Sequence, residues 1–249
     1  PTKIIRSGSD TFTYEFTEDI EIGSLVNIPV SKTTQLGIII KRTNKPEYAT
    51  RAISSVLNIP PIPNALLKTA LWMSGYYAAP LATVLQTILP SGLNKKRRNT
   101  SGKSSPIHRK RTNFVLNKEQ LSAVAQLSNT KEGTVLLHGV TGSGKTAVYI
   151  EYAKKIIESG RSVVVLVPEI ALTPQLIAEF SNFFTDVIIS HSKQTEAERH
   201  RAWLDALQSK TPRVAIGARS AFFLPLSNVG AIIIDEAHHA GAKSYQKVL

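Results

Sequence analysis

Residues Gly139-Val140-Thr141-Gly142-Ser143-Gly144-Lys145-Thr146 fit the spacing G-x-x-x-x-G-K-[S/T], whose chemistry is phosphate binding. Glycines let successive backbone N–H groups curl around an anion without Cβ clashes. The Lys145 ammonium reaches the β and γ phosphates of a nucleotide, and the Thr146 hydroxyl is a ligand for Mg²⁺. The helix expected from Lys145 to Ser159 points its positive end at the same anion. A glycine-rich turn without a ligand is the alternative, and the apolar stretch before it and the helix after it argue against that. Farther on, Asp235-Glu236-Ala237-His238 follows the apolar run Ala231–Ile234. A carboxylate at the end of a buried strand, such as Asp235, can hold Mg²⁺ through its water shell. Glu236 beside it can orient and activate an attacking water. His238 is either a residue that couples the nucleotide site to the rest of the machine or an ordinary loop histidine; its place in the box favours coupling. Gln120 lies 19 residues before Gly139. Its side-chain amide offers one donor and one acceptor group, which suits the edge of adenine. The implied cofactors are ATP and Mg²⁺.

These residues must be carried by a sheet. Apolar stretches at Thr134–His138, Ser162–Val167, Asp186–Ile189, Arg213–Ile216 and Ala231–Ile234 alternate with helical patterns. Runs such as Val163–Val167 and Ala231–Ile234 read as strands buried on both faces of a parallel sheet. Residues 113–249 are therefore expected to form a RecA-like P-loop lobe. Ahead of them, Thr2–Arg6, Thr11–Phe16, Ser24–Pro29, Leu36–Lys41 and Ala49–Leu57 are short and rich in β-branched and aromatic residues. A helix capped by Asn64 and a second from Pro80 to Leu89 close that region. The expected class is α/β, with a β-rich N-terminal domain over residues 1–93 followed by the parallel-sheet lobe.

Between them, residues 95–111 carry eight Lys or Arg and no acid. With Gly, Ser and Pro interleaved, residues 94–112 read as a flexible basic linker without a core. It is either a solvated tether or a strap on phosphates. Over the whole chain 30 basic residues face 18 acidic ones, a formal charge of +12, which favours a polyanionic partner. The chain has no cysteine, so disulfides and thiolate metal sites within it are excluded. No apolar run approaches the roughly 18 residues needed to cross a bilayer. A cytoplasmic protein that does not engage membranes is expected.

A phosphate loop followed by an Asp-Glu-Ala-His box is the pair carried by superfamily 2 nucleic-acid helicases. The wider sequence resembles one family of them, the PriA family (primosomal protein N′) of replication-restart helicases. The resemblance rests on LLHGVTGSGKTAVY, VPEIALTPQ, HSKQTEAERHRAWL, IGARSAFFLPLSNVGAIIIDEAH, TFTYEF, GIII and ALWMSGYYAAPLATVLQTILP, in that family's order. It implies ATP-dependent 3′→5′ unwinding at stalled forks. It also implies an N-terminal domain that grips the 3′ end of the nascent leading strand. Forked and single-stranded DNA, other primosome proteins and single-stranded-DNA-binding protein are the implied partners. By this resemblance Phe12 falls at the 3′-terminal nucleotide pocket, where an aromatic can stack on a base; without it, Phe12 reads as a core aromatic. The next position, Asp in that family, is Thr13 here. Lys32 and Arg51 match basic positions suited to phosphate, and Thr173, Arg219 and Ser220 match motifs that touch the tracking strand. Where the family favours Thr after Gly217, this chain has Ala218.

The family's winged-helix domain would lie between the two domains, where this chain has only the basic linker. The second ATPase lobe, the zinc region and the C-terminal domain would lie beyond Leu249, so zinc is expected only there. Phosphoryl transfer in two-lobe helicases needs an arginine from the second lobe, so residues 1–249 alone are expected to hydrolyse ATP poorly. Two alternatives remain: a non-hydrolysing DNA-structure-binding factor of primosome assembly, and another superfamily 2 translocase such as a restriction-type motor subunit.

Overall fold

The computed structural model describes residues 2, 11–17, 19–93, 115–130, 132–140, 142–168 and 174–235. In chain order the elements are β1 (Tyr14–Glu15), β2 (Leu25–Val30), β3 (Thr33–Ile38), β4 (Arg51–Ala52), β5 (Ser55–Val56), α1 (Asn64–Tyr76) and α2 (Leu81–Ile88). There follow α3 (Lys118–Asn129), α4 (Lys145–Glu158), β6 (Ser162–Leu166), α5 (Pro174–Ser181), β7 (Ile188–Ser190), α6 (Glu196–Gln208), β8 (Val214–Gly217), a 3-10 turn (Arg219–Phe223) and β9 (Val229–Ile234). These form two compact units. Among the described residues, the first takes those up to residue 93 with Gln194–Gln208 and Phe223–Pro225; the second takes the rest.

In the first unit β2 and β3 form an antiparallel hairpin, with Val30 paired to Thr33, and β5 pairs antiparallel to the other edge of β2. The two-residue turn between β2 and β3 is Ser31-Lys32, and Ser31 sits at φ 54°. That geometry carries the chain back along the twist of a hairpin. β1 and β4 make a separate parallel pair, Tyr14 opposite Arg51. Both helices begin behind a proline. Pro63 and Pro80 occupy the N-cap positions at φ −52° and −54°, and neither start has a side-chain cap. Asn64, expected as the cap, is instead the first helical residue. Pro63, with ψ 134°, makes the extended step that ends at the helix, which leaves no capping position for Asn64.

Leu25 of β2, Ile62, Leu66 and Ala70 of α1, and Leu81, Leu85 and Ile88 of α2 build this unit's core. Trp203 and Leu207 of α6 complete it. The helix lies between β7 and β8 in sequence, yet its stripe His200, Trp203, Ala206 and Leu207 is buried in the first unit's company. Within that core the Trp203 indole donates to the Ile88 carbonyl at 3.0 Å.

The second unit is a parallel sheet of four strands in the order β7-β8-β6-β9. β6 is its centre, and Val163, Val164 and Val165 are all buried, as the continuous apolar run predicts. Ile150, Ala153 and Ile156 of α4 pack with Val163, Val165, Val214, Ile216 and Ile233. Two expectations fail here. Residues 134–138 form no strand: they pair with no ladder, and Val135 and Leu136 are exposed. In β9 only Ile233 is buried, while Ile232 and Ile234 are 47% and 37% exposed. The two failures share a cause. An apolar run becomes a fully buried strand only when it has ladder partners, and among the described residues β9 is paired along one edge alone, to β6.

Candidate functional site

The phosphate loop is placed by α4. Only three residues, Ser159–Arg161, join α4 to β6, and Asn228 ahead of β9 donates from its side chain to the Gly160 carbonyl at 3.0 Å. The C-terminal end of the helix therefore lies where β6 and β9 begin. Packed on both strands, its 14 residues run back about 20 Å toward their carboxyl ends. The helix N-terminus, which carries the loop, thus comes to the edge where ligands of α/β sheets bind. Asp235 sits at that edge immediately after β9, half-buried, its N–H donating to the Leu166 carbonyl at 2.9 Å.

Inside the loop, Gly144 caps α4 at φ 78° and Gly142 has the same φ. The Ser143 N–H donates to the Val140 carbonyl at 3.2 Å. Lys145 curls back, its ammonium donating to the carbonyls of Gly139 at 2.9 Å and Val140 at 3.2 Å. Those carbonyls hold the charge at the mouth of the loop, and Thr146 is half-buried beside it. A Cβ on Gly139 would come within 2.8 Å of the Ser143 hydroxyl, so the loop closes on a space that only a glycine leaves open. Thr141, Glu236 and His238 lie outside the described residues, as does Thr173.

Gln120 is brought onto this loop. It stands in the first turn of α3, and its side-chain amide donates to the Ser143 carbonyl at 3.0 Å. Arg219 and Ser220 are exposed in the 3-10 turn after β8, at the same carboxyl edge. The Ser220 hydroxyl is 3.4 Å from that of Ser190, at the end of β7. β6 separates β8 from β9, so these residues stand two strand spacings, about 10 Å, from the Asp235 position. The approach of β7 and β8 is close enough that a Cβ on Gly217 would fall on the Ser190 carbonyl.

Of the N-terminal residues, Lys32 and Arg51 meet at the β2–β3 turn. Lys32 is exposed in that turn, and the Arg51 guanidinium donates to the carbonyl of its neighbour Ser31 at 3.1 Å. Tyr14, paired with Arg51, donates its hydroxyl to the Pro29 carbonyl at 3.1 Å. Burial pushes the Tyr14 phenol above its ordinary value, against the downward pull of the Arg51 charge. Phe12 and Thr13 lead into β1, both half-buried. Lys32, Arg51 and the aromatic Tyr14 are thus set close together by one hairpin and one parallel pair.

Comparison with known proteins places both regions. The family model described as type III restriction enzyme, res subunit, matches residues 113–249, more than half of the chain. The model of the PriA 3′ DNA-binding domain matches residues 5–90. The replication restart protein PriA of Helicobacter pylori (strain ATCC 700392 / 26695) is 33% identical over 249 residues, covering 97% of this chain and 37% of that protein. The chain belongs to the res-subunit family, and its N-terminal part matches the PriA 3′ DNA-binding domain. The PriA of Haemophilus influenzae is 43% identical over 142 residues, 56% of this chain and 19% of that protein. That of Bacillus subtilis is 42% identical over 118 residues, 47% of this chain and 14% of that protein. The chain spans little more than a third of the length of the Helicobacter relative. Among the described residues no helix is long and apolar enough to cross a membrane.

Three features escaped the sequence reading. Asn117 caps α3 through a reciprocal pair of bonds with Gln120, a pattern legible in principle as an Asx residue three before a Gln. Tyr14 ties β1 to the hairpin, and nothing in its type announces that. Trp72, Tyr76 and Tyr77 form an exposed aromatic cluster at the end of α1, with Trp72 stacked on Tyr76 at 4.8 Å between ring centroids. The i, i+4 spacing of Trp72 and Tyr76 was legible as one helix face, but their exposure was not.

Proposed function

We propose that this chain carries the DNA-end-binding and nucleotide-binding parts of an ATP-dependent 3′→5′ DNA helicase that acts in replication restart. The observation that supports it best is the union, in one chain, of a PriA 3′ DNA-binding domain with a phosphate loop at a helix N-terminus that shares an edge with Asp235. The residues present fit ATP and Mg²⁺: the loop closes on a space that a Cβ at Gly139 would fill, and a lysine and a hydroxyl border it. Gly139, Thr141, Gly142, Ser143 and Gly144 would give backbone N–H groups to the phosphates, and Lys145 its charge. Thr146 and Asp235 would hold Mg²⁺, Glu236 would orient the attacking water, His238 would couple this edge to the strand-tracking residues, and Gln120 would read adenine. ATP hydrolysis supplies the free energy for translocation. Lys145 must leave the Gly139 and Val140 carbonyls to reach an anion, an exchange of neutral acceptors for charged ones that favours the bound state.

On the DNA side, Lys32 and Arg51 would hold phosphates beside Phe12 and Thr13, which would meet the terminal nucleotide; Thr173, Arg219 and Ser220 would touch the tracking strand. Forked and single-stranded DNA are the substrates, other primosome proteins and single-stranded-DNA-binding protein the partners, and the cytoplasm the compartment. The test compares binding of the chain to forks ending in a 3′-hydroxyl and in a 3′-phosphate, and to ATP with and without Lys145→Ala. Preference for the hydroxyl and loss of ATP in the variant are expected. Equal binding to both forks would remove the 3′-end reading and leave a generic translocase. ATP binding that ignores Lys145 would remove the motor reading and leave a DNA-structure-binding assembly factor.

A further inference from the structure

Helix α1 is held to its unit by Leu66, Leu67 and Ala70, all buried. Trp72 and Tyr76 stand outside that face, 53% and 62% exposed and stacked on each other. Tyr77 meets both edge-on, at 6.3 and 5.0 Å between ring centroids. Packing of the helix therefore does not account for these rings. A stacked pair still leaves each ring a second face, on which another flat ring can lie.

The backbone fixes this end of the helix. The Tyr77 N–H donates to the Met73 carbonyl at 3.0 Å. Ala78 then takes φ 48°, a left-handed step that costs an alanine more than a glycine. Two bonds span that step: the Ala79 N–H donates to the Ser74 carbonyl at 3.1 Å, and the Ser74 hydroxyl to the Ala79 carbonyl at 2.7 Å. Gly75 lies just before Tyr76, with no positive φ, and a Cβ on it would meet nothing within 4 Å. Alanine would favour the helix more. Neither the turn nor packing among the described residues needs that glycine, and its effect is to leave the flank of the ring pair clear.

Charge decides what such a face can take. From Tyr48 to Asn117 the sequence has no Asp or Glu and ten Lys or Arg, namely Arg51, Lys68 and the eight of residues 95–111. Lys68 is the one charge on α1, exposed four residues before Trp72. A second copy of the chain would bring its own formal charge of +12 against this surface. A polyanion whose units are flat rings complements both the aromatics and the charge.

We infer that the Trp72–Tyr76–Tyr77 face is a stacking platform for the bases of single-stranded DNA, with Lys68 on an adjoining phosphate. It stands on a different element from Phe12 and Thr13, and it rests on the proposed reading of single-stranded DNA as substrate. The carbonyl end of α1 disfavours anions. Bases therefore meet the rings there, and the phosphate lies back toward Lys68.

The experiment titrates the chain with oligo-dT ending in a 3′-phosphate and with an abasic strand of the same length, reading affinity and tryptophan emission. The chain's other tryptophan, Trp203, is buried, so quenching by a stacked base reports Trp72. Oligo-dT should quench that emission and the abasic strand should not. Trp72→Ala should weaken oligo-dT binding about tenfold, near the lower end of what one stacked base is worth. It should leave the abasic strand and the salt dependence unchanged, and Trp72→Phe should restore most of the affinity. Lys68→Ala should instead lower the slope of log K against log salt by about 0.7, the release of one phosphate on a single strand. Emission unmoved by oligo-dT overturns the inference, as does a Trp72→Ala variant that weakens both strands alike, the mark of a merely structural ring. Wild-type affinity for oligo-dT in Trp72→Ala, with self-association lost in sedimentation, would make the face a contact between copies and overturn it too. In each case the substrate reading stands while oligo-dT still binds the wild type. A wild-type chain that binds neither oligo-dT nor forks removes that reading and the platform together.

Discussion

Trp203 belongs by sequence to the region matched by the res-subunit model, yet its side chain completes the core of the N-terminal unit. Replacing it with alanine should therefore loosen α1 and α2, more than a hundred residues earlier in the chain. The indole is 4% exposed, so nearly all of its apolar surface is removed from water. Truncating a buried Trp to Ala costs about 4 kcal/mol. Part of that arises because the buried Ile88 carbonyl loses its 3.0 Å donor, a loss worth about 1–2 kcal/mol by itself. Trp203→Phe keeps most of the ring and isolates the second contribution. Native-state hydrogen exchange reads these locally. Amides of α2 such as Leu85 and Ile88 should exchange about a thousandfold faster in Trp203→Ala and about tenfold faster in Trp203→Phe, at about 1.4 kcal/mol per decade. Amides of β6 and α4, in the other unit, should hold their wild-type rates. Unchanged exchange in α1 and α2, or equal acceleration in β6, would refute the assignment of α6 to the first core.

Further substitutions test the sites. Gly144→Ala places a Cβ at φ 78° and against the Gln120 amide; it should destabilise by about 1–2 kcal/mol from the backbone alone and abolish ATP binding in equilibrium dialysis. Gly217→Ala drives a Cβ into the Ser190 carbonyl and the Ala221 side chain, and should cost about 3 kcal/mol in urea unfolding, the upper end for overpacking. Arg51→Ala should weaken fork binding and lower the slope of log K against log salt by about 1, the release expected of one phosphate contact; an unchanged slope would place Arg51 off the DNA. Tyr14 carries a pH dependence. Its folded phenol holds the proton above the ordinary 10.0, so its contribution to stability is intact below that pH and lost as pH rises through the folded value. Tyr14→Phe should flatten that alkaline decline in urea midpoints measured from pH 9 upward.

The phosphate loop was legible because its chemistry is local: glycines, a lysine and a hydroxyl at fixed spacing need only a helix to follow, and α4 begins at Lys145 as expected. Strand β6 was legible for a similar reason, since its valines are buried on both faces. The segment 134–138 shows where that logic stops. Its apolar pattern equals that of other strands, but hydrogen-bond pairing is a property of two segments, and no composition of one segment contains the other. Asn64 failed on a smaller scale, because the proline before it set the helix boundary one residue early.

The deepest gap between pattern and structure is α6. Its stripe of His200, Trp203 and Leu207 at helical spacing states that one face is buried and is silent about the surface that buries it. In a chain with two cores, that silence matters. A helix flanked in sequence by β7 and β8, strands of the second unit, fills the first unit's core with its side chains. The interior of the N-terminal unit, built of Leu25, Leu66 and Leu85, has no second tryptophan to fill the space left behind. The burial of one side chain from a distant stretch of sequence thus completes the first unit's core, and the alanine variant of Trp203 is the direct measure of how much that core depends on it.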